Sequence, residues 1–253
     1  LAVNFNTISF IVTKEQKVIS GEKQRPLLPM MKNLSSIYPE GRHRVNVNYL
    51  PAVGKFTNTI RYCGELFTAI LKRQGIIVTN GYTTGQPPSN TDLLIAYNSD
   101  KTVSDLVRLC LQYSTNFIAN QLFLACGSKL FGDPANWKKA TMAAQVYISR
   151  QLNLNSSEIW MVDGSGLSKE NRINASAMLT VLDKFQPYAE LLPKQKSIYV
   201  KSGTLSNVYS FVGYFDDSQG LSPFVIFLNQ KRNTRGKILQ FLEKEYLSIT
   251  KSP

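Results

Sequence analysis

Two short polar motifs contain the side chains best suited to proton transfer. Ser114-Thr115-Asn116 follows an amphipathic run, and Lys201-Ser202-Gly203-Thr204 lies in a segment typical of a strand. A serine hydroxyl can relay a proton to a neighbouring amine, and a lysine held near it can act as a base or supply positive charge. A histidine-based triad would have to depend on His43, the single histidine, which makes such a triad improbable.

A third segment, Asp163-Gly164-Ser165-Gly166-Leu167-Ser168, lies between these two motifs. A glycine-rich turn that starts a helix would explain this composition without any chemistry. With Val162 before it and Lys169-Glu170-Asn171 after it, however, the segment resembles the D-G-S-G-L-S-R-x-N signature of the low-molecular-mass class C penicillin-binding proteins. That family comprises D-Ala-D-Ala carboxypeptidases and endopeptidases. Its S-x-N and K-T-G motifs match the first two segments, the second with Ser202 in place of Thr, a change that keeps the hydroxyl.

The resemblance implies a catalytic role for Ser114, Asn116 and Lys201. It implies a substrate-binding set consisting of Ser165, Gly166, Leu167, Ser202, Gly203 and Thr204. In such a site the lysine faces a substrate carboxylate, and the glycine lets the substrate lie against the strand. The backbone N–H of Thr204 would serve the oxyanion and its hydroxyl the terminal carboxylate. We expect neither a cofactor nor a metal.

The nucleophile motif of the family, S-x-x-K at the start of a helix, is missing from this pattern. Ser20-Gly21-Glu22-Lys23 has the spacing but lies in a polar turn, so we expect Ser20 to be inert. We therefore expect the nucleophile outside this chain, which alone would be inactive. The chain departs from the family pattern at two further places. The segment from Leu191-Leu192-Pro193 to Ser197 is shorter than in most members of the family, and Ala119-Asn120 stands where relatives usually have Ala-Glu.

The family implies a serine peptidase that cleaves peptidoglycan stem peptides through an acyl-enzyme and is inhibited by β-lactams. It would act in the periplasm or elsewhere outside the cytoplasm, in the bacterial cell envelope. The alternative is a non-catalytic peptidoglycan-binding relative that has lost the nucleophile. Whether the chain forms oligomers, and whether carboxypeptidase or endopeptidase action dominates, stays open.

Charge and cysteine content limit the other classes of protein to which the chain could belong. The formal charge is +12, with 29 Lys and Arg against 17 Asp and Glu, but the basic residues are scattered and densest at 231–237. We do not expect nucleic-acid binding, because no recognised docking module accompanies the charge. No apolar run is long enough to span a membrane. Cys63, Cys110 and Cys126 lack metal-site spacing, and we interpret Cys63 and Cys110 as buried apolar side chains.

The periodicity of apolar residues predicts strands and helices along the whole chain. A cluster of turn-forming residues at 83–90 predicts a linker, and we place the boundary between residues 1–85 and 86–253 there. The predicted strands cover 2–12, 45–50, 76–78, 93–97, 159–162, 197–204, 209–215 and 223–228. The predicted helices cover 59–74, 103–113, 117–126, 137–152, 175–185 and 234–248, and His43 is assigned to a basic loop. The last three strands and the closing helix indicate an α/β protein of the α+β type, with an antiparallel sheet flanked by helices. The resemblance implies the penicillin-binding, β-lactamase-like transpeptidase fold, with residues 1–85 as the remainder of an inserted domain and 86–253 as the C-terminal part of the peptidase domain.

Overall fold

A computed structural model describes residues 3–85, 90–92 and 96–250. The chain divides into two compact units, Leu1–Ala96 and Tyr97–Pro253, which are described separately. Residues 86–89 of the predicted linker and residues 93–95 of the strand predicted at 93–97 lie outside the described residues. Ala96 and Tyr97, the described end of that strand, have no regular secondary structure.

The first unit contains a three-stranded antiparallel sheet and one long helix. Its strands are β1 (Thr7–Val12), β2 (Val18–Ser20) and β3 (Gly41–Asn46), in the order β2-β1-β3. Alternation along β1 buries one face of the strand, and helix α1 (Asn58–Arg73) packs on the same core through Tyr62 and Leu66. Short 3-10 turns cover Asn4–Asn6, Pro29–Met31, Leu34–Ser36 and Val47–Tyr49.

Several sequence predictions for this unit need correction. The strand predicted at 2–12 begins only at Thr7, and the one predicted at 45–50 ends at Asn46, where the side chain of that residue caps a 3-10 turn. The segment 76–78 is not a strand, and Ile77 is 88% exposed, so its apolar side chains have no sheet to cover. His43 lies within β3 rather than in a loop, and its ring lies 5.2 Å from that of Phe10.

The helices of the second unit agree closely with the predicted ones. They are α2 (Val103–Tyr113), α3 (Asn116–Phe131), α4 (Trp137–Gln151), α5 (Ala175–Phe185) and α6 (Arg235–Thr250). Helix α2 begins with a capping box, in which Thr102 and Asp105 satisfy each other's backbone N–H groups. Helices α4 and α5 have simple N-caps, in which the side chains of Asn136 and Asn174 accept hydrogen bonds from backbone N–H groups of the first turn. None of the helices among the described residues is both long enough and apolar enough to cross a bilayer.

The main sheet of this unit is antiparallel, with the order β6-β7-β8-β9. Its strands are β6 (Lys194–Gln195), β7 (Ile198–Leu205), β8 (Val208–Asp217) and β9 (Gly220–Asn229), while β4 (Ile159–Trp160) and β5 (Arg172–Ile173) form a separate pair. Ile198 and Val200 pack with α6 on one face of the main sheet, and Tyr214 packs with Leu182 of α5 on the other. The predicted fold class, an antiparallel sheet flanked by helices, is confirmed.

Candidate active site

Ser114 lies in the junction between α2 and α3, where the chain changes direction. Its backbone is left-handed (φ 51°, ψ 48°), and its N–H donates to the carbonyl of Cys110 as the C-cap of α2. A residue with a Cβ adopts this left-handed conformation only at a cost of roughly 1–2 kcal/mol. The surrounding structure must therefore hold Ser114 in it. The strained turn places the serine hydroxyl on the surface, outside both helices.

Lys201, on β7, completes this junction from the sheet. Its Nζ donates to Ser114 Oγ and, at 3.0 Å, to the carbonyl oxygen of Ser202. Burial lowers the pKa of the Lys201 amine, and the positive charge of Arg235 lowers it further, against an opposing effect of Cys110. An amine whose pKa is lowered towards neutrality is better suited to proton exchange than an ordinary lysine.

Asn116 is the first residue of α3 and lies two residues beyond Ser114 in the chain. Its side chain is exposed, and within the described part of the chain it has no hydrogen bond to Ser114 or Lys201. The structure therefore joins two of the three predicted catalytic side chains directly. Asn116 is near them in sequence, with its amide free to meet a substrate.

The outer edge of β7 is open beside this junction. In the described residues, β6 pairs only with Ile198 and Tyr199, and the N–H of Val200 donates to Pro193 on the side away from β8. Because backbone groups alternate along an antiparallel strand, Ser202 and Thr204 direct their N–H and C=O groups to that same side, where the Ser202 carbonyl already accepts from Lys201 Nζ. This edge can accept an extended peptide as an added strand.

Gly203 lies between these two residues and faces β8. A Cβ there would lie 2.5 Å from Ser210 Oγ, its partner on the neighbouring strand. A Cβ would therefore displace the Ser210 hydroxyl, the end of a short side chain, and would meet no backbone atom, so the packing of the sheet does not by itself require glycine here. The sequence analysis explained this glycine by clearance for a substrate, and that explanation stays a prediction.

The turn that contains Ser165, Gly166 and Leu167 is organised by Asp163. The Asp163 carboxylate accepts hydrogen bonds from the Ser165 hydroxyl (3.0 Å) and from the N–H groups of Gly166 (2.6 Å) and Ser168 (2.8 Å). Burial alone would raise the pKa of this carboxyl, but the hydrogen bonds outweigh it, so the pKa is lowered. The predicted binding residues of this segment therefore belong to a tightly bonded turn.

Asn120, a residue without a role in the sequence analysis, attaches this turn to α3. Its Oδ1 accepts from the N–H groups of Gly164 and Ser165, both at 3.0 Å. A Cβ at Gly164 would collide with the carbonyl oxygen of Ala119, so glycine permits the close approach. The acceptor is Asn120 where relatives have Glu, and either side chain presents an oxygen for this purpose.

Arg235, the first residue of α6, is a second residue that the sequence analysis missed. It belongs to the basic run at 231–237, which the sequence marks without explaining. Its guanidinium donates to Thr204 Oγ1 at 2.9 Å and to the carbonyl oxygen of Gly203 at 2.5 Å. The position of α6 relative to β7 was needed to find these contacts.

Neither Ser-x-x-Lys spacing in the chain lies at the start of a helix. Ser20 ends β2, and its hydroxyl donates to Glu22 O in a local turn at 2.9 Å. A second such spacing begins at Ser248 in the last turn of α6, and its Lys251 lies outside the described residues. The prediction that Ser20 is inert is consistent with its turn but remains to be tested.

Comparison with known proteins agrees with the resemblance drawn from the motifs. Residues 21–192 match the model of the D-Ala-D-Ala carboxypeptidase 3 (S13) family. The D-alanyl-D-alanine carboxypeptidase DacB of Haemophilus influenzae is 25% identical over an alignment of 226 residues, which covers 77% of this chain and 47% of the relative. A penicillin-sensitive carboxypeptidase A of Dictyostelium discoideum is 22% identical over 85% of this chain and 47% of its own length.

Solved structures show the same fold. Penicillin binding protein 4 of H. influenzae matches with a TM-score of 0.73 at 19% identity, over 99% of this chain and 67% of that one. The same protein in complex with a β-lactam matches with a TM-score of 0.71 at 20% identity, over 99% and 70%. The chain spans about half the length of the curated relatives it matches. Since the family match covers more than half of its residues, the chain belongs to the D-Ala-D-Ala carboxypeptidase 3 (S13) family.

Proposed function

We propose that the protein containing this chain is a serine-type D-Ala-D-Ala carboxypeptidase or endopeptidase that acts on peptidoglycan stem peptides and is acylated by penicillin. The hydrogen bond between Lys201 Nζ and Ser114 Oγ is the observation that carries the proposal, because it joins the two motifs into one proton-transfer unit. Relatives named D-alanyl-D-alanine carboxypeptidase and penicillin-sensitive carboxypeptidase support the substrate class.

The proposed reaction begins at a serine of an S-x-x-K motif outside these 253 residues. Its hydroxyl oxygen attacks the carbonyl carbon of the D-Ala-D-Ala bond and forms an ester, while the bond to the leaving D-Ala nitrogen breaks. The serine proton is transferred to that nitrogen through Ser114 and Lys201, whose lowered pKa suits the transfer. Water then hydrolyses the ester and restores the serine.

The open edge of β7 supports the proposed placement of substrate. The N–H of Thr204 would stabilise the oxyanion, and Asn116 would donate its exposed amide to the peptide backbone. The turn at Ser165–Leu167 would border the leaving group. We propose that the protein acts outside the cytoplasm, in the cell envelope, where peptidoglycan lies. We also propose that residues 1–85 are the end of an inserted domain and 86–253 the C-terminal part of the peptidase domain.

The test uses the full-length protein, labelled with a fluorescent penicillin and assayed for D-Ala release from an acyl-D-Ala-D-Ala peptide. Ser114→Ala removes the relay hydroxyl and should lower both rates by about a hundredfold or more. Ser104→Ala is the matched control, because Ser104 is an exposed serine on the adjoining helix α2. It should retain the wild-type rates.

The 253-residue chain alone should acquire no label, since it would lack the nucleophile. A full-length protein that binds the peptide but is never acylated would instead be the non-catalytic peptidoglycan-binding relative. Labelling of the isolated chain would contradict our placement of the nucleophile, and mass spectrometry of the adduct would identify the serine, including Ser20.

A further inference from the structure

Arg235 is fixed at the start of α6 by contacts with two strands. Its Nη1 donates to the carbonyl oxygens of Gly203 (2.5 Å) and Ser210 (3.3 Å) and to Thr204 Oγ1 (2.9 Å). The guanidinium carbon lies 4.5 Å from the centroid of the Phe211 ring. Hydrogen bonds on one edge and an aromatic ring on one face leave the planar group little freedom.

These contacts determine how the Thr204 hydroxyl can act. A guanidinium has hydrogen-bond donors and no acceptor, so Thr204 Oγ1 must accept in its contact with Arg235. The single hydroxyl hydrogen of Thr204 is then free to be donated elsewhere, and the side chain is exposed. The Thr204 hydroxyl could otherwise either donate or accept. The contact with Arg235 therefore leaves it as a donor at the open edge of β7.

The charges near the Thr204 hydroxyl independently favour a ligand that accepts hydrogen bonds. Lys201 and Arg235 place two cations at this end of the strand, and each is partly buried. Among the described residues, neither forms an ion pair with a carboxylate, and the charge of Arg235 lowers the pKa of Lys201. Two partly desolvated cations beside an unused donor favour an anion.

We propose that Arg235 is a positioning residue that determines specificity for substrates with a free terminal carboxylate. It does so by orienting the Thr204 hydroxyl as a donor and by adding its charge to that of Lys201. The inference rests on the proposed function and goes beyond it, since it assigns selectivity for the carboxylate to the first residue of the C-terminal helix.

The experiment measures the second-order acylation rate of the full-length protein by benzylpenicillin and by its methyl ester. Arg235→Gln should lower the rate with the free acid by about tenfold to a hundredfold, and the rate with the ester by less than about threefold. Arg232→Gln is the matched control, since it removes a charge from an exposed position in the same basic run. It should leave the ratio of the two rates unchanged.

A double-mutant cycle tests the action through Thr204. Arg235→Lys keeps the charge but loses the planar fork, so it should lower the free-acid rate, and it should have no further effect in a Thr204→Val background. The alkaline fall of the free-acid rate should move to higher pH in Arg235→Gln, because the pKa of Lys201 rises when that charge is removed. Groups facing Lys201 that also act on its pKa are Cys110 of α2 and Arg235 of α6.

Equal losses on acid and ester in Arg235→Gln would show a purely structural role and overturn the inference. A wild-type protein that is not acylated at all would refute the proposed function. Calorimetric binding of an acyl-D-Ala-D-Ala peptide and its amide would then decide the inference separately. Preference for the free acid that Arg235→Gln abolishes would support it, and absence of any preference would refute it.

Discussion

Asp163 and Lys201 both place a charged group in the predicted site, yet their surroundings differ. The Asp163 carboxylate accepts three hydrogen bonds within its own turn, which Asn120 attaches to α3. Lys201 has a hydroxyl and a carbonyl as partners, a lowered pKa and no carboxylate within ion-pair distance among the described residues. The turn at Asp163 therefore satisfies its own hydrogen-bonding groups, whereas Lys201, the proposed proton-transfer residue, has no carboxylate partner among the described residues.

This contrast suggests a reason why the most recognisable motif, the turn at Asp163, is assigned no proton transfer in the proposed reaction. A turn that satisfies its own donors depends on fixed residue types at fixed spacing, so it leaves a strong pattern in the sequence. A group that must exchange protons cannot be fully satisfied before substrate binds. Mutations at the two places should therefore damage different properties, activity at Lys201 and stability at Asp163.

In the comparison of Lys201 with Asp163, the largest expected effect is the loss of acylation in Lys201→Ala. Removal of the amine breaks the hydrogen bond to Ser114 and would delete the proposed charge-assisted contact with a substrate carboxylate, worth roughly 1.5–3 kcal/mol. Acylation of the full-length protein by penicillin should fall by about tenfold to a few hundredfold. Stopped-flow measurement with a chromogenic β-lactam provides the rate.

Lys194→Ala is the control for that variant. Lys194 lies on β6 of the same sheet, where it pairs with Asp216 at 2.6 Å on the surface. Its loss should alter acylation by less than about twofold, since an exposed pair contributes little. Equal losses in the two variants would show that Lys201 acts through net charge alone, which contradicts a role in proton transfer.

The next effect should be a loss of stability in Asp163→Ala. The variant leaves the N–H groups of Gly166 and Ser168 without their acceptor, at a cost of roughly 1.5–3 kcal/mol in the free energy of unfolding. Because the pKa of Asp163 is lowered in the fold, its contribution is fully present above the ordinary value of 3.8 and is lost as pH falls through the folded pKa. Urea denaturation at pH 7 and near pH 3 measures both quantities.

The difference between wild type and Asp163→Ala should therefore be full at pH 7 and shrink in acid. Asp163→Asn, which keeps the size and one acceptor oxygen, should fall between them at pH 7. A difference that grows on acidification would mean that the carboxylate is not what stabilises the turn.

A smaller loss is expected at the attachment of the turn to α3. Asn120→Ala removes the acceptor for two N–H groups and should cost about 1–2 kcal/mol of stability. Asn120→Asp keeps an oxygen in the same place and should retain most of it. If the aspartate variant loses as much as the alanine variant, Asn120 is held by packing and not by these hydrogen bonds.

Sequence reasoning succeeded where local chemistry decides the structure. Helices α2 and α5 have capping side chains at their first turn, and the strands β7, β8 and β9 pair in chain order and are separated by short turns. It failed at 76–78, where β-branched residues face solvent for lack of a neighbouring strand. Propensity alone does not supply that partner.

The candidate site likewise contains residues that local motifs predict and residues that only tertiary contacts identify. Ser114 and Lys201 were found because their motifs have a recognisable order, and the structure joins them across the distance between α2 and β7. Asn120 and Arg235 were missed because each acts on backbone groups far away in sequence, at 164–165 and at 203–210. Such contacts depend on how a helix end packs on a strand, which no local pattern states.

The smallest expected effect separates strain from chemistry at Ser114. Its left-handed backbone favours glycine over any residue with a Cβ, so Ser114→Gly relieves strain while Ser114→Ala retains it. Both variants lose the hydroxyl that accepts from Lys201, and both should lose acylation together. The glycine variant should nevertheless be more stable than the alanine variant by about 0.5–1 kcal/mol, the usual gain at such a position. Denaturation of the two proteins side by side measures this difference. Equal stabilities would show that Ser114 is held in its turn without strain, and a more stable alanine variant would contradict the left-handed conformation itself.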